Sequence, residues 1–356
     1  MRCYNPVVND FISKMVLGGD IIRICVIGCG DIAHAAHGPA LQRLAHEGIC
    51  KLVGCCARHM ENAEAFKHKF GFENAYDNYS FMLDELKPDL VFILLPVKGI
   101  CNCTVEVMRK GYPVIIEKPP GVSKEETDIM SATAEEMRLF NAVMFNRRSM
   151  PLVEETKRLI SKDKIDAISL EMCRYRRIDE DFTTTAIHGI DCLSFLAGSL
   201  YGQISFRYEH DEQRHNTNYY ANGFFENGIY FDMRFLPDAG AVTEKISIYA
   251  SGKQYYLDLP VWSGTEYTPG FDYPGKLVCA DAQQRTVEIL GTDLSHCGDG
   301  YVLNGFYNED KRLITALKNC EPTPFAIASG RQSVEISALM RAGVADKIWR
   351  NDIRGK

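Results

Sequence analysis

The sequence predicts an α/β domain followed by an α+β domain whose sheet is mostly antiparallel. Three observations carry that expectation. Up to about residue 146, short apolar runs alternate with helix-like stretches, the signature of βαβ units on a parallel sheet. Beyond residue 150 the runs alternate apolar and polar residues and are joined by short turns such as ENG and SGK, which marks antiparallel strands with one packed and one more open face. The chain of 356 residues is long enough for two domains.

The first strand is IIRICVIG (21–28), nearly continuously apolar, β-branched and ending in glycine. A helix-like stretch, CGDIAHAAHGPALQRLA, follows. KLVGCCA (51–57) reads as a second strand and MENAEAFKHKFG (60–71) as a helix with a glycine stop. DLVFILLP (89–96) is a strand, TVEVMRKG (104–111) a helix, YPVIIEKP (112–119) a strand, KEETDIMSATAEEMRLF (124–140) a helix and NAVMFN (141–146) a strand. After the helix PLVEETKRLISK come the strand candidates IDAISLEMCRYRR, GQISFRYEH, NYYANGFFE, GIYFDMRFLP, EKISIYAS and KQYYLDL, interrupted by the helix TTTAIHGIDCLSFLAG. NEDKRLITALKN and RQSVEISALMRAGVADKIW close the chain as helices. The expected organisation is an extension over 1–20, an α/β domain over 21–146 and an α+β domain over 147–356, the last helix packing back on the first domain.

Hydrophobic residues make up 46% and charged residues 24%, ordinary for a chain that buries a core. The net charge of −7, with acids and bases interspersed and no basic stripe, argues against nucleic acid. Thirteen cysteines are odd in number and scattered, several in apolar runs (Cys25, Cys55, Cys56), so reduced buried thiols are expected rather than a disulfide framework. Cys101 and Cys103 form a lone C-x-C without a second pair at zinc spacing, and no metal is expected. The first twenty residues lack the charged start and sustained apolar stretch of a signal peptide. No apolar run is long enough to span a membrane. A soluble, cytoplasmic protein is expected.

Gly28-Cys29-Gly30-Asp31-Ile32-Ala33 fits G-x-G-x-x-G/A between the first strand and a helix, the context that makes this motif a dinucleotide site. Gly28 permits the tight turn, Gly30 lets a pyrophosphate approach the backbone, Ala33 allows close helix packing, and the helix N-terminus offers N–H groups to phosphate. The acid that binds ribose hydroxyls after the second strand is missing. Ala57-Arg58-His59 stands there, and a small residue followed by Arg leaves room and charge for a 2′-phosphate. NADP(H) is favoured; NAD(H) is acceptable if Arg58 stacks on adenine or faces solvent.

With these residues on view, the sequence resembles the glucose–fructose oxidoreductase / inositol dehydrogenase / MocA family. The resemblance rests on GCGDIAHAAHGPAL, on Glu117-Lys118-Pro119 in VIIEKPPG as the family's E-K-P motif, on His188 and Asp191 in IHGIDCLSFLAG as its H-x-x-D, and on FNRRSMP as its domain-junction segment. It runs from about residue 21 through nearly the whole chain. It implies a Rossmann domain joined to a large open-faced sheet, self-association through that sheet as a homodimer or homotetramer, an NAD(P) cofactor, and sugar-like or cyclic polyol substrates. Two departures stand out. Thr184 occupies the position where polyol-oxidising members carry Asp, and Leu95-Pro96-Val97-Lys98-Gly99-Ile100 replaces the usual T-P-x-x-x-H. The first removes a carboxylate from the proton relay; the second changes what packs beside the nicotinamide.

Hydride transfer from or to an alcohol carbon must be matched by proton movement at its oxygen. Lys118 follows an apolar strand at the carboxyl end of the sheet and is the candidate acid/base, or else a charged donor that polarises a carbonyl. A surface lysine paired with Glu117 is the plain alternative. Thr184, His188 and Asp191 fall at i, i+4 and i+7 on one helix face. His188 exchanges protons near neutrality, Asp191 orients it or binds substrate, and Thr184 hydrogen-bonds without ionising; alternatively the polar face of that helix simply meets water. Of Asn146, Arg147 and Arg148, one arginine, with Arg148 the choice, is expected to reach cofactor and the other to form an interdomain ion pair, with Asn146 on substrate. Arg174 and Arg176 are expected on one strand face opposite Tyr175; Arg176 there, and Tyr307 in GFYNEDKR, are substrate candidates, although a solvated or oligomeric surface is the plainer reading. Leu95, Pro96 and Glu117 complete the expected cofactor contacts.

The leading expectation is an NAD(P)-dependent dehydrogenase or reductase acting on a CH–OH group of a sugar-like molecule. Two others stand beside it: a redox-neutral enzyme that retains its dinucleotide and catalyses epimerisation, elimination or glycoside cleavage, and a non-catalytic dinucleotide-sensing regulator.

Overall fold

The computed structural model describes residues 21–177, 181–261, 273–283, 285–323 and 325–349. The expectations for the first twenty residues lie outside them. The chain divides into two compact units, residues 1–144 with 306–334, and residues 145–305 with 335–356.

The first unit opens with β1 (Ile22–Ile27), whose residues from Ile24 to Val26 are fully buried. A single turn of π-helix spans Ala33–His37 and leads into α1 (Gly38–His46). Pro39 explains the turn: without an N–H it cannot donate back to a carbonyl four residues earlier, and the preceding turn widens to accommodate its ring. Then follow β2 (Cys50–Cys56), α2 (Met60–Phe70), β3 (Asn74–Tyr76), α3 (Tyr79–Leu86), β4 (Leu90–Ile93), α4 (Val97–Arg109), β5 (Val114–Glu117), α5 (Lys124–Met137) and β6 (Asn141–Met144). All pairs in this sheet are parallel, in the order β3-β2-β1-β4-β5-β6. This doubly wound order reverses between β1 and β4, and ligands of such sheets bind outside the strand carboxyl ends at that point.

The second unit contains α6 (Pro151–Leu159), β7 (Ile165–Cys173), α7 (Thr183–Ala197), β8 (Tyr201–Asp211), β9 (Asn216–Phe225), β10 (Tyr230–Leu236), β11 (Thr243–Ala250), β12 (Lys253–Asp258), β13 (Lys276–Asp281), β14 (Thr286–Leu290), α8 (Gly291–Ser295) and α9 (Gly300–Leu303). With β15 (Asp346–Ile348) its strands form one nine-stranded sheet, β14-β13-β12-β11-β7-β10-β9-β8-β15. Only β7 and β10 pair in parallel. One face carries Ile168, Leu170, Phe231, Met233, Ile246 and Ile248, all buried. Gly189 of α7 lets that helix lie directly on this face, since a Cβ there would come within 2.4 Å of Leu170. By register, the opposite face presents Phe224, Tyr230, Tyr249, Tyr256 and Ile348, all exposed.

Two sequence expectations need correction here. The chain does not stay in the second unit after residue 147: α10 (Phe306–Lys318) and the segment after it belong with the first unit, while α11 (Arg331–Arg341) contains the boundary after Val334. The stripe Phe306, Tyr307, Leu313, Ile314 and Leu317 gives α10 a face to bury. The strand read through Arg176 stops at Cys173, because Arg176 adopts φ 51° and breaks the period-two alternation. No helix among the described residues is long and apolar enough to cross a membrane.

Candidate cofactor and catalytic residues

The glycine-rich turn follows β1 and is anchored to both neighbouring strands. The Gly28 N–H donates to the Cys56 carbonyl at 2.9 Å, and the Leu94 N–H to the Ile27 carbonyl at 2.8 Å. Gly28 has φ 105°, and a Cβ there would lie 2.5 Å from the Leu94 carbonyl oxygen, so the turn excludes any side chain. Gly30 is the opposite case: a Cβ there meets nothing within 4 Å. Its backbone thus faces open space at the edge where a dinucleotide pyrophosphate would lie, and the residues fit that group. Asp31 is exposed, Ile32 half-buried and Ala33 fully buried.

Around the same edge, Ala57 and Arg58 follow β2; Arg58 is exposed and forms no ion pair among the described residues. Leu95 is half-buried and Pro96 exposed, the latter capping α4. Ile100, at the position of the missing histidine, is buried in the core. Lys118 is half-buried and directly follows β5.

Glu117, the last residue of β5, is engaged within the protein. It is buried; one carboxylate oxygen lies 3.0 Å from His37 Nε2 and the other accepts the Lys118 N–H at 2.9 Å. His37 Nδ1 lies 3.0 Å from Asp310. Burial alone would lower the His37 pKa, but Asp310 first and Glu117 second outweigh it and hold it up at about 10. The two carboxyl groups thus favour the protonated ring, although burial also raises the Asp310 pKa. His37 and Asp310 escaped the sequence reading. The available signal was an acid, Asp310, sitting on the apolar stripe of α10.

Tyr307 is also corrected. Its hydroxyl donates to Glu47 at 2.7 Å, beside Lys311 and with Arg43 over its ring. Glu47 ends α1, at the amino edge of the parallel sheet, away from where dinucleotides bind.

In the second unit, α7 carries Thr184, His188 and Asp191. The Thr184 hydroxyl donates to the Asp181 carbonyl at 2.9 Å in the first turn, and His188 is half-buried one turn on. Asp191 is buried and accepts from Arg148 Nε at 2.7 Å; the guanidinium's second nitrogen takes the other oxygen. The two residues, expected as substrate and cofactor ligands, thus pair with each other inside this unit. Arg147 also has its partners within this unit. It shares Glu244 with Arg174 inside the unit, its Nε donating at 2.7 Å. Burial would raise the Glu244 pKa, yet Arg147 and then Arg174 hold it down to about 2. Asn146 is buried, donating to the Asn304 carbonyl at 2.8 Å and accepting from Arg147. Arg176 lies beyond β7 with its guanidinium over the Tyr175 ring, not on a shared face with Arg174.

Comparison with known proteins bears on this geometry. The model of the oxidoreductase family with an NAD-binding Rossmann fold, GFO_IDH_MocA, matches residues 22–145. The D-glucoside 3-dehydrogenase of Escherichia coli is 27% identical over 135 residues, 38% of each chain. The glucose-6-phosphate 3-dehydrogenase of Bacillus subtilis is 31% identical over 151 residues, 41% of this chain and 40% of its own. The chain thus matches about two fifths of these relatives' length. An oxidoreductase domain protein from Kribbella flavida shares the fold over 94% of this chain and 100% of its own, at a TM-score of 0.77 and 16% identity. Over residues 22–145, its dinucleotide-binding part, the chain matches the Gfo/Idh/MocA oxidoreductase family.

Proposed function

We propose that the chain is an NAD(P)-dependent oxidoreductase, with NADP(H) favoured, that moves a hydride between nicotinamide and an alcohol or carbonyl carbon of a sugar or sugar derivative. The observation that carries this reading is the open-faced Gly30 turn at the β1–β4 switch point, with Lys118 leaving the next strand on the same edge. Bound nicotinamide supplies the hydride chemistry. The backbone of Gly28 to Ala33 would hold the pyrophosphate, and Arg58 the 2′-phosphate. Leu95 and Pro96 would border the dinucleotide. Lys118 would give or take the proton at the sugar oxygen. Two relatives named as 3-dehydrogenases of glucose compounds support a glucose-type substrate reacting at its 3-position. The exposed aromatic face of the large sheet supports self-association through it.

Lys118→Ala tests the assignment. Turnover on a panel of glucosides and keto-sugars should fall by roughly 10²–10⁴-fold, while NADPH affinity stays within a few-fold of the parent. Near-normal turnover would remove Lys118 from the chemistry.

A further inference from the structure

β5 ends on Glu117, and Lys118 is the next residue. The Glu117 carboxylate is the brace between them: one oxygen accepts the Lys118 N–H at 2.9 Å, the other meets His37 Nε2 at 3.0 Å. His37 is wholly buried, its second nitrogen 3.0 Å from the equally buried Asp310. The Phe306 ring meets the imidazole edge-on at 5.3 Å and Phe92 lies at 6.4 Å, so the surroundings are apolar. Both ring nitrogens face carboxyl groups, an arrangement that suits an imidazolium donating to each. Without that cation, Glu117 and Asp310 would be two like charges in apolar surroundings. Glu117 would then take up a proton or turn toward water, and either change alters its hold on the Lys118 N–H.

We propose that His37 is a positioning residue: clamped between Asp310 and Glu117, its ring keeps the Glu117 carboxylate on the Lys118 N–H and so fixes the backbone from which Lys118 is presented. The π-helical turn before Pro39 supports this role, because it delivers His37 to the interior at the start of α1. The significance for chemistry rests on the reading of Lys118 as the proton-exchanging group; the positioning itself does not.

The test is residue-resolved amide exchange on the full chain, with the acetylation rate of Lys118 measured against that of the exposed Lys98, in the parent, His37→Gln and Asp310→Asn. His37→Gln should speed exchange at Lys118 by about tenfold, the loss expected for one hydrogen bond. Ile115 and Ile116 should change by no more than about twofold. The Lys118-to-Lys98 acetylation ratio should shift in the same variant. Unchanged exchange and acetylation at Lys118 would overturn the proposal. So would an equal rise along all of β5, since that reports only a loosened strand. If His37→Gln does not fold, Asp310→Asn carries the same test, because it weakens the other side of the clamp that holds the His37 ring against Glu117. A smaller rise confined to Lys118 supports the proposal, and no rise or a uniform one overturns it. Normal turnover in Lys118→Ala would defeat the acid/base reading and leave the exchange result standing, so the two failures are distinguishable.

Discussion

Glu244→Gln isolates the buried charge network that holds two arginines of the second unit. Arg147 and Arg174 both rest on this one carboxylate. Replacing it with an amide leaves two buried guanidinium groups side by side without a counter-charge. The magnitude follows from the carboxylate's pKa, held from an ordinary 4.5 down to about 2. At ~1.36 kcal/mol per pH unit, that corresponds to about 3 kcal/mol at pH 7, within the range of roughly 3–5 kcal/mol for removing one partner of a buried pair. Because the folded pKa is depressed, the contribution is complete above pH 4.5 and is lost as pH falls through 2. At pH 3 less than half of it should remain. Urea unfolding followed by circular dichroism is the assay. With a slope of roughly 2–3 kcal/mol per molar, the midpoint should drop by about 1 M at pH 7, and the gap between parent and variant should narrow at pH 3. A midpoint within about 0.3 M of the parent at pH 7 would refute the assignment of these arginines to a structural network.

Other outcomes follow from the same geometry. His37 is held up at about 10 by Asp310 and Glu117 against its own burial, so its stabilising contribution is complete below pH 6.5 and is lost as pH rises through 10. The urea midpoint gap between parent and His37→Gln should therefore shrink from pH 6.5 to pH 10, and a constant gap would contradict the imidazolium. On the open sheet face, Tyr230→Lys with Tyr256→Lys places charge among exposed aromatics. Light scattering should then show a smaller assembly than the parent forms, and an unchanged mass would exclude that face as the interface.

The parallel sheet was legible because a strand buried on both faces must be apolar throughout, as Ile24 to Ile27 are, while the antiparallel strands announced themselves by alternation, as in Tyr230 to Leu236. The G-x-G turn was legible because its demands are local: Gly28 lies against the neighbouring strand and tolerates no side chain. What escaped were pairings across sequence. His37 meets Glu117 and Asp310, residues 80 and 273 positions away, and nothing in the helix AHAAHGPAL reveals which histidine turns inward until the π-turn is known. Arg148 and Asp191 were both read as ligands because each sits in a motif-bearing segment; only the fold reveals that they neutralise each other. Arg176 misled through its positive φ, which flips a side chain that simple alternation places beside Arg174. The sequence reading sent only the last helix back to the first domain and left α10 in the second, because an amphipathic helix declares that it has a face to bury, but not against which sheet.

The most direct test of the account is a fluorescence titration of the purified protein and of Arg58→Ala with NADPH and NADH. The account predicts that the parent binds both, NADPH more tightly. Loss of the Arg58 guanidinium should weaken NADPH by roughly 10–100-fold, the worth of a charge-assisted contact, and leave NADH within a few-fold. Equal weakening of the two would refute the 2′-phosphate assignment, and no binding of either nucleotide to the parent would contradict the dinucleotide site itself.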